Sequence, residues 1–589
     1  MKYYYKIIIP SLLLLVLFSC NKKLDLPSDG RITMDQVFSD YNRTRGYLNS
    51  CYGHLPAPYM DRASFTDEAQ DADDITSGSR YIMWYGGNIT SQTYALYSSD
   101  GSPWAQLFQG ITKCNTFIEN IKTATVYASE EVKAGWTAQA HALRALYYLQ
   151  LIKRYGGVPI FDKPLDILHD FSKDNRATFG EVVKFILADC DSALAVPNTQ
   201  DGFSWNIYDN QFCIMSRAVA YAIKSQAIIY AASPLWADGA YSWADAAQVT
   251  AEALQQCLAN GYKLFDEVPA SGIAQNPYAL YFFTTSNDQR AVDKETIYQG
   301  GAQMQVWKFA GLPSTPGMEK AGPCPTQELV DSYEMANGEA PVSGYSDASR
   351  LVPIVNPASG YDETNPYVGR DPRFYASIYY NGAVRNLDQL AGEKVETFVG
   401  GEEEISELNR KHTRTGYYQR KFNNYKSGQN NDADGAIRLF RLAELYLNFA
   451  EAANQSVGPD VPVTANGQSM TAMEAVSAVR GRVGMPAFPL GMSKEDFDKK
   501  YRNERRIELV FEEHRFFDVR RWKILNQTDQ FVTGVEITKN GADFTYNRFK
   551  FADRDCSSDK YLMYPIDQDE VNKIIGLSDV NWQNPGWLD

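Results

Sequence analysis

Apolar positions recurring at i, i+3, i+4 and i+7 dominate the first half of the chain and predict a series of helices. Thr33-x-x-Gln36 reads as a capping box opening a segment in which Leu48, Cys51, Tyr52 and Leu55 keep that spacing. Ser102-Pro103 precedes Trp104, Leu107, Phe108, Ile111, Ile118 and Ile121 as a cap and an N1 proline. A longer helix opens at Ser129 with Glu130 and Glu131, runs through Trp136, Leu143 and Tyr147, and closes on Lys153 and Arg154 before Gly156-Gly157. Its charges complement the helix dipole. Thr178-x-x-Glu181 opens Val182 to Leu194, Phe212 to Ser233 is stopped by Pro234, and Ser242-x-x-Asp245 opens a helix ending at Asn260-Gly261.

From 268 to 435 the pattern breaks. This stretch is rich in Gly, Pro, Asn and aromatics, with short β-branched runs and no sustained helical period. Helices resume at Ala436 to Ala453, Thr471-x-x-Glu474 to Val483, Ser493-x-x-Asp496 to Phe511 and His514 to Leu525. The tail from Phe531 reads as loops and short strands. The step from Thr178 to Phe212, and from Ile437 to Thr471, is 34 residues, the tetratricopeptide period. The expectation is a mainly α fold: a tetratricopeptide-like helical-repeat scaffold with a long loop-rich insertion containing short β-strands. A long irregular stretch inside a compact body is the default place for binding loops.

The N-terminus changes the picture of where the protein works. Lys2 and Lys6 precede an apolar run, Ile7 to Phe18, that is too short to span a bilayer and ends in Leu17-Phe18-Ser19-Cys20. This reads as an export signal over 1–19 with a lipobox, so that Cys20 is the lipidated N-terminus of the mature protein. Acyl chains there would tether a soluble body to a membrane. The units expected are the signal at 1–19, an N-terminal helical part at 20–267, the irregular insertion at 268–435, and C-terminal helices with a cap at 436–589.

Net charge is −15, which repels phosphate backbones and argues against nucleic acid as a partner. Seven cysteines follow Cys20. The odd count and the absence of CxxC spacing read as small buried hydrophobes, not a disulfide framework or a zinc site. Five scattered His without HExxH, and no GxSxG, Walker A or GxGxxG, set aside metallohydrolase, serine hydrolase and nucleotide chemistry. No cofactor is expected. Asn430-x-Asp432-x-Asp434-Gly435 resembles a calcium loop, but Arg441 stands where its bidentate Glu belongs, so it reads as a solvated turn.

Two features remain. Asp67, Glu68, Asp71, Asp73 and Asp74 lie just before Arg80, Tyr81, Trp84, Tyr85 and Asn88. Paired carboxylates can hydrolyse glycosides, and the same set suits a non-catalytic sugar site, in which aromatics stack on C–H faces and polar groups bond hydroxyls. The Arg502 to Trp522 block alternates charge at helical spacing (Arg505 and Glu508, Arg515 and Asp518) and reads as a structural ion-pair network. Of the 13% aromatic residues, Trp104, Trp136, Tyr147 and Phe516 follow helical periods, whereas Trp84, Tyr85, Trp307 and Tyr281 fall on predicted loops.

Ordered blocks along the chain resemble the SusD/RagB family: Leu24-Asp25 and Pro27 after Cys20, SPWAQLFQGITKCN, HALRALYYLQLIKRYGGVPIF, GRDPRFYASI, IRLFRLAELYLNFAEA, the Arg502 to Trp522 block, YPIDQDEV and QNPGW. The resemblance implies a lipid-anchored outer-membrane protein, facing the cell exterior, that binds oligosaccharides without cleaving them. It would deliver them to a TonB-dependent SusC-like transporter. It places glycan contacts at Trp84, Tyr85, Arg80 and Asn88, with Asp67 and Asp73, and in the insertion at Tyr281, Tyr298, Trp307 and Arg370. Peptide capture for the same kind of transporter is the alternative, and a glycoside hydrolase a further one. After Cys20 the chain carries Asn21, Lys22 and Lys23 in place of an acidic run.

Overall fold

The computed structural model describes residues 32–56, 60–205, 212–268, 275–284, 291–300, 305–385, 393–423 and 437–588. The scaffold is built from helices α1 (Tyr41–Cys51), α2 (Trp104–Ile121), α3 (Glu130–Tyr155), α4 (Phe179–Leu194), α5 (Arg217–Ala232), α6 (Trp243–Ala259), α7 (Leu442–Val457) and α8 (Ala472–Gly481). From α2 to α8 each packs on the next, so the helices form a stacked tetratricopeptide-like body around one large apolar core. The local start signals account for these helices well. Thr33, Thr178, Ser242 and Thr471 each form a complete capping box, and Ser129 accepts the Val132 N–H. α3 is buried on nearly all sides from Ala138 onward, as a helix flanked by neighbours must be.

Several boundaries differ from the sequence reading. The opening segment is two helices, because Asp40 caps a fresh start at Tyr41. Pro103 stands at the N-cap of α2, one position earlier than N1. Residues before Arg217 stay outside α5, whose cap is Ser216. The stretch before α7 is a strand, Arg438–Arg441, paired antiparallel with Thr296–Gln299. The tail is more regular than expected: Phe531–Asn540 and Asp543–Asp553 make a long hairpin, and Gln568–Ser578 is a helix opened by Asp567.

Lys153 and Arg154 do not face solvent at the end of α3. Arg154 pairs with buried Asp100 at 2.7 Å, and Lys153 donates to Gln226 at 2.9 Å. The irregular stretch has a second apolar core that also draws in Ala63, Ala69, Ile507, Val510, Phe511, Val535 and Ile537, which seats the loops on the C-terminal elements.

The Arg502 to Trp522 block is structural, but the expected partners differ: Arg505 pairs with Asp518 rather than Glu508, and Arg515 with Asp67 rather than Asp518. Helix α9 (Lys494–Glu508) ends, Phe511 and Glu513 take positive φ, and α10 (His514–Arg521) starts in a new direction. The break sends Arg505 to Asp518, Arg515 to Asp67, and Arg521 to Glu451. Glu508 is surrounded by Arg373, Arg441 and Arg482. Burial alone would raise the Glu508 carboxyl, but these three guanidiniums hold it well below the usual carboxylate range. Of the seven described cysteines, all are free thiols and six are buried, with Cys213 exposed.

Candidate functional site

The acidic loop is fixed from both ends. Strand Ala69–Asp71 pairs antiparallel with Pro323–Pro325, and Ala72 N–H continues the contact to Gly322 O at 2.9 Å. Gly322 has φ +62°, and a Cβ there would lie 2.1 Å from Phe309 O, so only glycine allows this approach. The pairing brings Lys320 beside the acids. Its Nζ lies 2.9 Å from Asp73 and 3.7 Å from buried Asp71. Arg410 reaches the same Asp73 carboxylate through Nε at 2.6 Å and Nη2 at 3.0 Å.

On the far side Ser79 caps a short helix, Arg80–Tyr85. Arg80 pairs with Asp61 and lies 5.0 Å from the Tyr81 ring, while Tyr81 donates its hydroxyl to Asp61 at 2.7 Å. Burial first, then nearby Asp71, pushes the Tyr81 phenol well up, so it remains a donor at any physiological pH. Asp73, Thr76, Ser79, Arg80, Tyr81, Lys320 and Arg410 together line an open depression of about 300 Å³. Next in the chain to Asp73, Asp74 is held by Arg414 at 2.6 Å.

Such a rim offers cationic donors and a carboxylate acceptor that are only partly desolvated. A hydroxyl both donates and accepts, so it can insert between Asp73 and either cation without stranding a charge. The volume is at the lower end for ligand pockets.

Several expected contacts lie elsewhere. Trp84 is 1% exposed, caged by Phe65, Tyr94, Phe516 and Tyr561, and offers no face to a ligand. Tyr85 is buried under Arg554 at 4.2 Å and donates to Ser64 O. The loop reading failed here because α-helical spacing over six residues is too short to see, and the burying partners come from the far end of the chain. Asp67 is buried between Arg506 and Arg515. Tyr281 is fully buried with Arg438 3.7 Å from its ring centre. Arg370 is buried and donates to the carbonyls of Val330, Tyr333 and Pro366. Tyr298 is buried in the strand paired with Phe440 and lines a different cavity.

Arg80 and Asp73 are brought together in the depression. Asn88 is exposed, three residues beyond the short helix. Trp307 is half-buried on the turn Val306–Phe309, whose Lys308 O accepts from the backbone of Glu319 and Lys320. Sequence reasoning missed Lys320 and Arg410, because the strand pairing and loop packing that deliver them are non-local. Cys20 and the Asn430 to Gly435 run lie outside the described residues. Among the described residues no group of His, Cys, Asp or Glu could hold a metal ion, and no helix is long and apolar enough to cross a membrane.

Stacked helices carrying a loop-built polar depression define a tetratricopeptide-like scaffold with its candidate site on inserted loops. The chain belongs to the SusD family, whose model matches residues 282–587. A second model, described as starch-binding associating with outer membrane, matches residues 33–223. Among curated proteins, SusD-like protein P38 of Formosa agariphila is 23% identical over 536 residues, covering 86% of this chain and 88% of its own. A SusD-like protein of Bacteroides fragilis is 26% identical, covers 94% of this chain and 99% of its own, and superposes with a TM-score of 0.74. A SusD-like carbohydrate binding protein of the same organism is 20% identical, covers 91% of this chain and 98% of its own, with a TM-score of 0.67.

Proposed function

We propose that the protein is a non-catalytic, lipid-anchored glycan-binding protein of the outer membrane. It captures oligosaccharides at the depression around Asp73 and hands them to a TonB-dependent SusC-like transporter. The observation that carries the site is Asp73 bridged between Lys320 and Arg410 at the edge of an opening of about 300 Å³. A bridged pair at a partly exposed rim can trade its ion-pair hydrogen bonds for hydroxyls at little cost. The signal ending at Cys20, family membership and the carbohydrate-binding relative support the remainder. The net charge of −15 disfavours polyanionic glycans.

The test is calorimetric titration of purified polysaccharides into the parent protein and the Asp73→Ala and Arg80→Ala variants. Saturable binding that both changes weaken is expected. Variants binding as tightly as the parent would place the site elsewhere, and release of reducing ends would overturn the non-catalytic reading. Co-purification of a large β-barrel from detergent extracts tests the transporter.

A further inference from the structure

A second and larger cavity, about 750 Å³, opens on the helical side of the molecule and, among the described residues, shares no lining with the Asp73 depression. Its walls come from α1, α3, the loop around Asp201, Met215 and the Thr296–Gln299 strand with its partner. Tyr41 and Trp136 meet edge to face at 5.2 Å on one wall with Tyr52 nearby, while Phe203 and Tyr298 are buried behind the lining. Side-chain amides alternate with these rings: Asn49, Gln139, Gln150 and Gln200. Tyr52 is held in place by donating to Gln139 at 2.8 Å and accepting from Met215 N at 3.1 Å.

The charges that reach the inner end are already neutralised. Arg154 pairs with Asp100 at 2.7 Å, and Glu513 pairs with Arg62 at 3.1 Å. At the rim Arg45 and Asp201, both exposed, oppose each other in sign. Among the described residues an ionic ligand would therefore find no uncommitted counter-charge inside, and it would lose its hydration. Gln150 is 5% exposed. Its Oε1 accepts from Arg154, while its Nε2 has no acceptor among the described residues. A buried amide donor left in that state costs free energy that an acceptor oxygen would recover.

We infer that this cavity is a second ligand site, for a neutral, hydroxyl-rich molecule of about disaccharide size. Ring faces would stack on its aromatics and an oxygen would accept from Gln150. Aromatic rings with interleaved amides and committed charges suit such a ligand better than an aliphatic or charged one. The inference does not rest on the Asp73 site, and the two fail separately.

Cys213 gives a direct readout, because it lines this cavity and is the exposed thiol among the described cysteines. The alkylation rate of Cys213 by iodoacetamide is measured with maltose, cellobiose or lactose, and with glucuronic acid as the charged control, alongside calorimetry. The expectation is a saturable slowing of at least threefold by one or more neutral disaccharides and none by glucuronic acid. Ile214→Trp, which fills the cavity from a partly buried wall position, should lower that affinity at least tenfold. Arg410→Ala, which alters only the Asp73 depression, should leave the protection of Cys213 unchanged. Thermal melting of Ile214→Trp verifies its fold, and Tyr52→Phe, which keeps the wall but frees Gln139, should give a smaller loss. No protection by any neutral disaccharide, protection by glucuronic acid alone, or protection untouched by Ile214→Trp would overturn the inference.

Discussion

Arg515 grips both carboxylate oxygens of Asp67 at 2.8 Å, joining two residues 448 positions apart in the chain. The pair ties the acidic loop to the start of α10. It also explains why a residue expected to touch ligand is withheld from solvent: Asp67 positions the loop that presents Asp73.

Asp67→Asn should therefore act on stability. It leaves Arg506 and Arg515 buried without their counter-charge, a loss of about 3–5 kcal/mol by urea denaturation at pH 7. Burial alone would raise the Asp67 carboxyl, but Arg506 and Arg515 hold it well below its usual range. A depressed folded pKa contributes stability above the unfolded value and loses it as pH falls. The gap between parent and variant should narrow below about pH 4.

Neighbouring Glu68 has the opposite sign. Burial, only partly offset by Arg506 and Arg515, pushes its carboxyl up to about 7, and its Oε1 has no partner among the described residues. The folded protein then binds the proton more tightly than the unfolded chain, so this group's contribution falls as pH rises from about 4.5 through 7. Asp529, pushed up to about 6 chiefly by burial, adds to the trend. Glu68→Gln should gain roughly 2–3 kcal/mol at pH 8 and little at pH 5, measured by denaturation at both values.

Arg410 has a half-exposed side chain, so Arg410→Ala should change stability by less than about 0.5 kcal/mol. Glycan affinity should fall about tenfold, the cost of one charge-assisted hydrogen bond. Unchanged affinity in calorimetry would remove Arg410 from the site.

Trp84→Phe should behave in reverse. The smaller ring leaves a void inside the Phe65, Tyr94, Phe516 and Tyr561 cage, costing about 1–3 kcal/mol in melting experiments, while glycan affinity stays within twofold.

Gly110 lies in the middle of α2, where alanine is normally preferred by about 1 kcal/mol. A Cβ there would stand 2.4 Å from the Tyr147 ring, and Tyr147 is fixed by donating to Cys51 O. Gly110→Ala should thus cost about 1–3 kcal/mol, read as a lowered midpoint of thermal unfolding.

The capping boxes at Thr178, Ser242 and Thr471 were legible because each joins two residues three positions apart, complete within its own segment. The same locality explains the failures. Trp84 looks like a loop aromatic until Phe516 and Tyr561 arrive from the other end of the chain. The charges of the Arg502 to Trp522 block look like an exposed helical ladder until the positive-φ residues Phe511 and Glu513 turn them inward. Asp73 and Arg80, which line one depression, could be grouped from the sequence because their loop is contiguous. Lys320 and Arg410 became visible only through the pairing of Ala69–Asp71 with Pro323–Pro325 and the packing of the loops against it.

The strand pair Thr296–Gln299 with Arg438–Arg441 has a consequence of another kind. It clasps the two ends of most of the irregular stretch side by side at the edge of the scaffold. Closing a flexible loop costs only about 0.6 kcal/mol more for each doubling of its length. With its ends already clasped, the intervening chain can lengthen or shorten in its exposed loops at little cost, while Pro323–Pro325 and buried Arg373 keep the rest of it tied to the body. A frame joined to its loops in this way lets descent rewrite what is recognised while the body that presents it stays the same.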